Sequence, residues 1–347
     1  HDGTHLLMSD GSSIIDILVY MESAKGRRVY LDYRRNPFDG EVDFETLSPE
    51  AHAYLQNAGA CFGLPIDRLR HMNQPAVDFY LDKGVNLADE PLEVALCAQH
   101  NNGGLAVDCW WQTNLEGFFA VGEAAASHGV YRPGGSALNA GQVGSTRAAQ
   151  YIAARRDGEA PEDEGLSQAA MAQVEAFLQN VDGLLSDCDT ARDRWFEATI
   201  RMSRIGSAIR SAEGIAAGLA ATREALRTFW DETRIDSTGK LSMALRLRDV
   251  LLAQETYLAA MADYLAQGGK SRGSALYTDA GGQKPYKNLP DLFTFTVDDG
   301  TRGGLVQEAR RDDIGVVFVW RPVRPLPEDD DFFENVWRAY RENGNID

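Results

Sequence analysis

The chain has 347 residues, and its 44% hydrophobic and 25% charged residues are the ordinary proportions of a folded globular protein. This length allows about two domains with a sizeable core, which excludes a mini-protein held together by disulfides or a metal. Lysine and arginine number 34 against 52 aspartates and glutamates, so the formal net charge is −18. Such a surface repels phosphate backbones and anionic lipid, so neither nucleic-acid binding nor a membrane-surface role is expected.

The chain has four cysteines at wide, irregular spacings, without a C-x-x-C pair: Cys61, Cys97, Cys109 and Cys188. This pattern predicts free, mostly buried thiols and no metal or iron–sulfur site. No apolar run approaches the roughly 18 residues that span a bilayer, and the first residues lack a signal-peptide pattern. We therefore expect a cytoplasmic protein without a membrane span. The chain opens on His1 rather than Met, which indicates a processed, trimmed or excised chain.

The first part of the chain alternates short helices and strands. Residues 14–35 predict an amphipathic helix and then a strand, and Ser48 with Pro49 marks the start of a second helix. Residues 66–72 are helix-like, and residues 84–121 predict short strands and tight turns. Residues 117–123 predict a buried strand that ends in a glycine turn, followed by a helix over residues 136–156. Strand, glycine turn and helix form a common cofactor-holding arrangement.

Beyond Arg156 an acidic connector with proline and glycine predicts a domain boundary. Three segments with helical periodicity then predict an antiparallel bundle: 167–185, 190–229 with a weak point near Gly206, and 241–267. The tail predicts strands from Leu292 and from Ile314 and a final helix over residues 332–340.

Two neighbouring residues are the first candidates for a cofactor site. Gly122 permits close approach of the backbone, and Glu123 can accept hydrogen bonds from ribose or ribityl hydroxyls. Taken alone, the pair is more typical of an ordinary turn beside a solvated glutamate, because short Gly-Glu pairs are common.

His100 and Arg132 are the candidates for substrate chemistry. An imidazole before a double glycine can bind substrate or donate a proton, and a guanidinium among glycines can bind a carboxylate bidentately. The alternatives are a structural histidine in a turn and a surface arginine. The pair Arg34 and Arg35 is compatible with either a solvated face or an anion pocket. The Ser271–Ser274 segment is compatible with a simple helix end.

Four blocks, taken together and in order, resemble the flavoprotein subunit family of succinate dehydrogenase, fumarate reductase and L-aspartate oxidase. They are VYLD at residues 29–32, HNNGG at 100–104, TNLEGFFAVGE at 113–123 and HGVYRPGGSAL at 128–138. The three-helix region and the Ser271–Ser274 segment extend the resemblance to about residue 275.

The resemblance implies FAD as the cofactor and a small carboxylate-bearing molecule as the substrate. Gly122 and Glu123 would then contact the sugar part of FAD, and Ser136, Ala137 and Leu138 the pyrimidine end of its ring. Arg132 would bind a substrate carboxylate with assistance from His100. Gln99 stands in the family's histidine register, which leaves the identity of the substrate open.

Family members begin with a G-x-G-x-x-G turn that binds the ADP half of FAD, and this chain contains no such motif. We therefore expect a C-terminal half, either a fragment or a subunit, that is inactive without the N-terminal nucleotide-binding half. The expected fold is α/β plus α. It comprises a capping-domain remnant (1–80), the C-terminal part of a Rossmann-like FAD-binding domain (81–156), a helical bundle (157–275) and an α+β tail (276–347).

Two hypotheses about function follow. The first is half of a FAD-dependent oxidoreductase that transfers hydride between flavin and the substrate. The second is a non-catalytic helical interaction module that has lost the cofactor. Exposed apolar side chains around Phe118, Phe119 and Val121 would favour the missing-partner form of the first hypothesis.

Overall fold

The computed structural model describes residues 12–37, 40–97, 103–128, 135–155, 164–273, 275–285, 287–312, 315–325 and 327–345. Contacts divide the chain into two compact units, Asp10–Cys97 and Ala98–Asp347. The four-part division at residues 80, 156 and 275 stays a prediction. No helix of the described residues combines the length and apolarity needed to cross a bilayer.

The first unit confirms the helices and the strand predicted from its sequence. Its elements are α1 (Ser12–Ala24), β1 (Val29–Leu31), α2 (Pro49–Asn57), α3 (Pro65–Asp82) and β2 (Leu92–Val94). The Ser48 hydroxyl accepts a hydrogen bond from the Ala51 N–H at 3.3 Å, which caps α2 as predicted. The two strands pair antiparallel, with Leu31 opposite Leu92. Ile66, Val77 and Leu87 form the small core of this unit.

The second unit is mainly helical. Its helices are α4 (Ser136–Arg155), α5 (Glu164–Asp182), α6 (Ala191–Ile205), α7 (Ala212–Arg227), α8 (Phe229–Glu232), α9 (Leu241–Ala266) and α10 (Phe332–Asn343). Its strands are β3 (Ile209–Arg210), β4 (Leu276–Gln283), β5 (Leu305–Arg311) and β6 (Val316–Pro322). β3 pairs parallel with β4, and β5 pairs antiparallel with β6.

Helices α6, α7 and α9 pack together as a bundle, and the weak point near Gly206 separates α6 from α7 as predicted. A polar contact lies inside the bundle. The buried Gln254 amide donates to the Ala198 carbonyl at 2.6 Å and accepts from the Thr222 hydroxyl at 3.5 Å. The apolar core around it comprises Leu184, Ala191, Ala198, Phe229, Ile235, Ala244, Leu247 and Leu251.

Helix α5 does not bury the face that its periodicity predicts. Residues 167–180 are exposed, and Val181 near the end of the helix is the first buried side chain described on it. The Phe177 ring nevertheless meets the Trp230 ring edge-on at 6.2 Å. Helical periodicity shows which face is apolar, but it does not show whether another element covers that face.

The tail packs on α9 through two acidic side chains of that helix, Glu255 and Asp263. Glu255, which is 4% exposed, binds Arg223 of α7 at 3.1 Å and Arg311 of β5 at 2.5 Å. Asp263 accepts hydrogen bonds from the Gln307 amide and the Trp320 indole, both at 2.8 Å. These contacts orient the β5–β6 hairpin on the bundle.

Asp279 on β4 makes the stability of the second unit pH-dependent. The Thr296 hydroxyl, the Gly281 N–H and Lys270 bind its carboxylate and lower its pKa from 3.8 to about 2. The folded state thus favours the charged form, and this stabilisation is present above pH 3.8 and lost as the pH falls through about 2. We expect Asp279→Asn to flatten the fall of the unfolding temperature across this range. Asp330→Asn, at an exposed position, serves as control, and an unchanged pH profile in Asp279→Asn would contradict the assignment.

The C-terminal helix α10 is attached to α4 through Arg147. The Arg147 guanidinium donates to the carbonyls of Gly344 and Asn345 and lies 4.7 Å from the centre of the Trp110 ring. We expect Arg147→Ala to raise amide hydrogen exchange in α10 by about tenfold or more, because about 1.5–3 kcal/mol of charge-assisted bonding is lost. Arg155→Ala on the same helix is the control. Unchanged exchange in α10 would show that other contacts hold it.

The four cysteines are free, as predicted, but they are not mostly buried. Cys97, Cys109 and Cys188 are exposed, and Cys61 is half-buried. Each lies in a loop segment rather than on an apolar helix face, which accounts for the wrong prediction.

Candidate functional site

The predicted glycine turn is present and lies against helix α4. Gly122 begins a short 3-10 turn, Gly122–Ala124, and has a φ of +64°, a conformation that favours glycine. A Cβ on Gly122 would lie 3.5 Å from the Cα of Gly141 in α4. Two glycines therefore bring the turn close to the helix. Glu123, the next residue, is exposed and accessible to a ligand.

The double glycine that follows His100 in the sequence lies beside this turn. The Leu105 N–H donates to the Ala124 carbonyl at 2.9 Å, and the Ala126 N–H donates to the Leu105 carbonyl at 2.8 Å. A Cβ on Gly104 would stand 2.6 Å from the Ala124 oxygen, closer than real Cβ atoms come. Main-chain hydrogen bonds of Leu105 thus hold the described end of the first block, Gly103 and Gly104, beside the turn that ends the block at residues 113–123.

The start of α4 presents the three residues predicted to meet the flavin ring. Leu138 is 83% exposed, and Ser136 and Ala137 lie beside it in the first turn. The first N–H groups of a helix have no partner within the helix and carry the positive end of its dipole. This helix end can therefore receive an electron-rich group.

The two residues predicted to handle substrate, His100 and Arg132, lie outside the described residues, so their roles stay predictions. His128 begins the same block as Arg132 and is 6% exposed. The sequence alone assigns it no role, and its place at the head of the block is the signal that could have singled it out.

Trp111 is a second residue of this region to which the sequence assigns no role. Its indole fills the space above Gly144 of α4, where a Cβ would lie 2.7 Å from the indole nitrogen. The glycine within an alanine-rich helix is the sequence signal for such a close approach. This contact fixes the segment that carries Glu123 on the face of α4.

The buried strand predicted for residues 117–121 is not present. Residues 112 and 119 form an isolated antiparallel bridge, and the Thr113 N–H donates to the Phe118 carbonyl at 2.8 Å. Phe118 is 53% exposed, whereas Phe119 and Val121 are half-buried. The described part of this unit supplies no neighbouring strand to cover the segment. Further apolar side chains are exposed nearby in the sequence, namely Leu105, Leu115 and Leu138.

Arg34 and Arg35 bind a carboxylate of their own unit. Arg34 contacts both oxygens of Asp32, at 2.8 and 2.9 Å, and also the Asp89 carbonyl. Arg34, helped by Arg35, holds the pKa of Asp32 well below its usual range. These contacts favour a structural role over an anion pocket. Ser271 is likewise buried, and its hydroxyl binds the backbone of Tyr277.

Residues 1–138 match the family model described as FAD binding domain. The chain is 47% identical over 70 residues to a CoM/CoB fumarate reductase polypeptide of Methanothermobacter marburgensis, covering 20% of this chain and 13% of that protein. It is 30% identical over 141 residues to L-aspartate oxidase of Bacillus subtilis, covering 40% of this chain and 21% of that protein. These matches confirm the resemblance drawn from the sequence blocks, and they indicate FAD as the cofactor.

The fold also matches that of a solved flavoprotein. A variant of E. coli quinol fumarate reductase FrdA superposes with a TM-score of 0.59 at 20% identity, covering 91% of this chain and 49% of that one. At this identity the likeness concerns the fold, which is mixed helix and sheet as in the fumarate reductase flavoprotein. This chain spans about half the length of that structure and less of the curated relatives.

Proposed function

We propose that this chain is part of a FAD-dependent oxidoreductase that transfers hydride between flavin and a small carboxylate-bearing substrate. One observation carries the proposal: the main-chain hydrogen bonds of Leu105 hold Gly104 against the Gly122–Ala124 turn, and that turn lies against α4. The sequence match to a FAD binding domain covers all three features up to residue 138.

The described residues suit a flavin on chemical grounds. The exposed Glu123 can accept hydrogen bonds from sugar hydroxyls, and the first turn of α4 offers N–H donors. Gly104 and Gly122 let the chain pack closely at this turn and on α4, which positions both groups. The flavin, when bound, supplies the redox chemistry. Arg132 binds the substrate carboxylate, and His100 assists in orienting the substrate or in holding a proton.

The proposal includes a partner that brings the missing nucleotide-binding half, either as a second chain or as a preceding segment of the same chain. Exposed apolar side chains in the FAD-binding part support it, because Phe118 and its neighbours have the character of residues that another strand covers. This chain alone is then inactive. The cytoplasmic location stays a prediction from the sequence.

The test is turnover of small dicarboxylates and amino dicarboxylates by the flavin-loaded enzyme. Arg132→Ala is expected to lower kcat/KM by about 100-fold or more with flavin content unchanged, because the substrate loses its bidentate anchor. His100→Ala is expected to lower kcat by about 100-fold. Arg155→Ala is the control. Full activity of both variants would contradict the site, whereas a protein that never takes up flavin would favour the interaction module.

A further inference from the structure

The bundle contains a cavity of about 210 Å³ far along the sequence from the flavin-binding blocks. Its walls come from α6, α7, α8 and α9, and Leu247 and Leu251 at its base are fully buried. Pockets for drug-sized ligands measure about 300–1,000 Å³, so this one suits a smaller molecule.

Three of the five charged groups that line the cavity, Arg194, Glu232 and Glu224, already have partners of opposite charge. Arg194 binds Glu232 at 2.6 Å and also contacts the Thr228 hydroxyl at 3.3 Å. Glu224 binds Arg227, which does not line the cavity, at 2.5 Å. These pairs are complete without a ligand.

Glu197 and Arg201, the other two charged groups of the cavity, form no such pair among the described residues. They lie four residues apart on α6, with the glutamate first, which is the favourable order for an ion pair within a helix. Among the described residues no ion pair joins them, and both line the cavity. The Nη1 atom of Arg201 is buried and has no hydrogen-bond partner among those residues. A buried cationic N–H without an acceptor is energetically costly. A ligand that accepts a hydrogen bond from this guanidinium, after a small rotation of the side chain, would remove that cost.

The sum of charges selects the kind of ligand. The pairs Arg194–Glu232 and Glu224–Arg227 cancel, so one anionic group, Glu197, and one cationic group, Arg201, remain to meet a ligand. A molecule with a carboxylate for Arg201 and an ammonium group for Glu197 satisfies both groups. The apolar base then accommodates a short hydrocarbon side chain.

We propose that this cavity is a binding site for a free amino acid, with the carboxylate on Arg201 and the ammonium group on Glu197. The site is independent of the proposed flavin chemistry, because no residue lining it belongs to the flavin-binding blocks.

The test is isothermal titration of the full chain with each of the standard L-amino acids. We expect at least one to bind saturably, and its amine-free and carboxylate-free analogues to bind about tenfold or more weakly. Arg201→Gln and Glu197→Gln should each weaken binding by about tenfold, and Arg204→Gln, an exposed position on the same helix, by less than about twofold.

A second variant distinguishes loss of binding from loss of folding. Ala221 is exposed and lines the cavity, so Ala221→Leu should fill the space, keep the unfolding temperature and abolish binding. The proposal is overturned if no amino acid binds the unsubstituted chain at about 10 mM, or if binding survives unchanged in both Arg201→Gln and Ala221→Leu.

Discussion

Gly104→Ala is expected to destabilise the second unit by about 1–3 kcal/mol, because the new methyl group would overlap main-chain atoms that have little freedom to move. The Cβ would lie 2.6 Å from the Ala124 oxygen and 2.7 Å from the Ala125 carbonyl carbon. Gly104 also has a φ of +155°, which alanine rarely adopts. Relief of the overlap requires the two main-chain segments to move apart, which strains the hydrogen bond between Leu105 and Ala124. Denaturant unfolding measures the change.

Gly304→Ala is the matched control, because a Cβ there would meet nothing within 4 Å. It should leave the free energy of unfolding within about 0.5 kcal/mol of its original value. Equal stability of the two variants would show that Gly104 does not lie against the main chain of Ala124 and Ala125.

The second large effect is expected on flavin binding. Glu123→Ala should weaken the affinity for FAD by about tenfold or more, because a charge-assisted hydrogen bond is worth about 1.5–3 kcal/mol. The unfolding temperature of Glu123→Ala separates a loss of flavin binding from a loss of folding. Flavin absorbance per protein after dialysis measures the retained cofactor.

Glu116→Ala, also exposed and seven residues earlier, is the control and should retain flavin. Equal flavin retention in Glu123→Ala and Glu116→Ala would remove Glu123 from the cofactor site. The same result would not bear on the prediction for Gly104, so the two predictions test separate parts of the molecule.

Local signals predict much of the helical structure. Ser48 and Pro49 specify the start of α2 through a side-chain cap and a fixed φ, and the helix lies where predicted. The helix over residues 136–155 and the break near Gly206 likewise follow from composition and periodicity. These features depend on residues within a few positions of each other.

Strands and burial are harder to predict because they depend on distant partners. Residues 117–121 carry the pattern of a buried strand, yet the described residues provide no strand beside them, and Phe118 is exposed. Strands β4 and β5 carry no clear strand pattern, because glycines interrupt the first and charged residues dominate the second. β5 forms because β6 pairs with it and Glu255 of α9 binds its Arg311.

The candidate site is likewise predictable only in its local features. The glycines at 104 and 122 can be found from sequence, because positive φ angles and close backbone contacts demand that residue type. The proximity of these two glycines cannot be predicted from sequence, because it depends on a parallel bridge between Leu105 and Ala125. The role of Trp111 against Gly144 also requires the fold.

The central claim is that this chain works as part of a flavoenzyme whose other half it needs. The most direct measurement is an absorbance spectrum of the protein purified from its native host, with the intact mass of every co-purifying polypeptide. We expect a flavin band together with a second polypeptide or a longer chain that contains this one. A colourless species with the mass of this chain alone, which stays colourless when FAD is added, would contradict the claim.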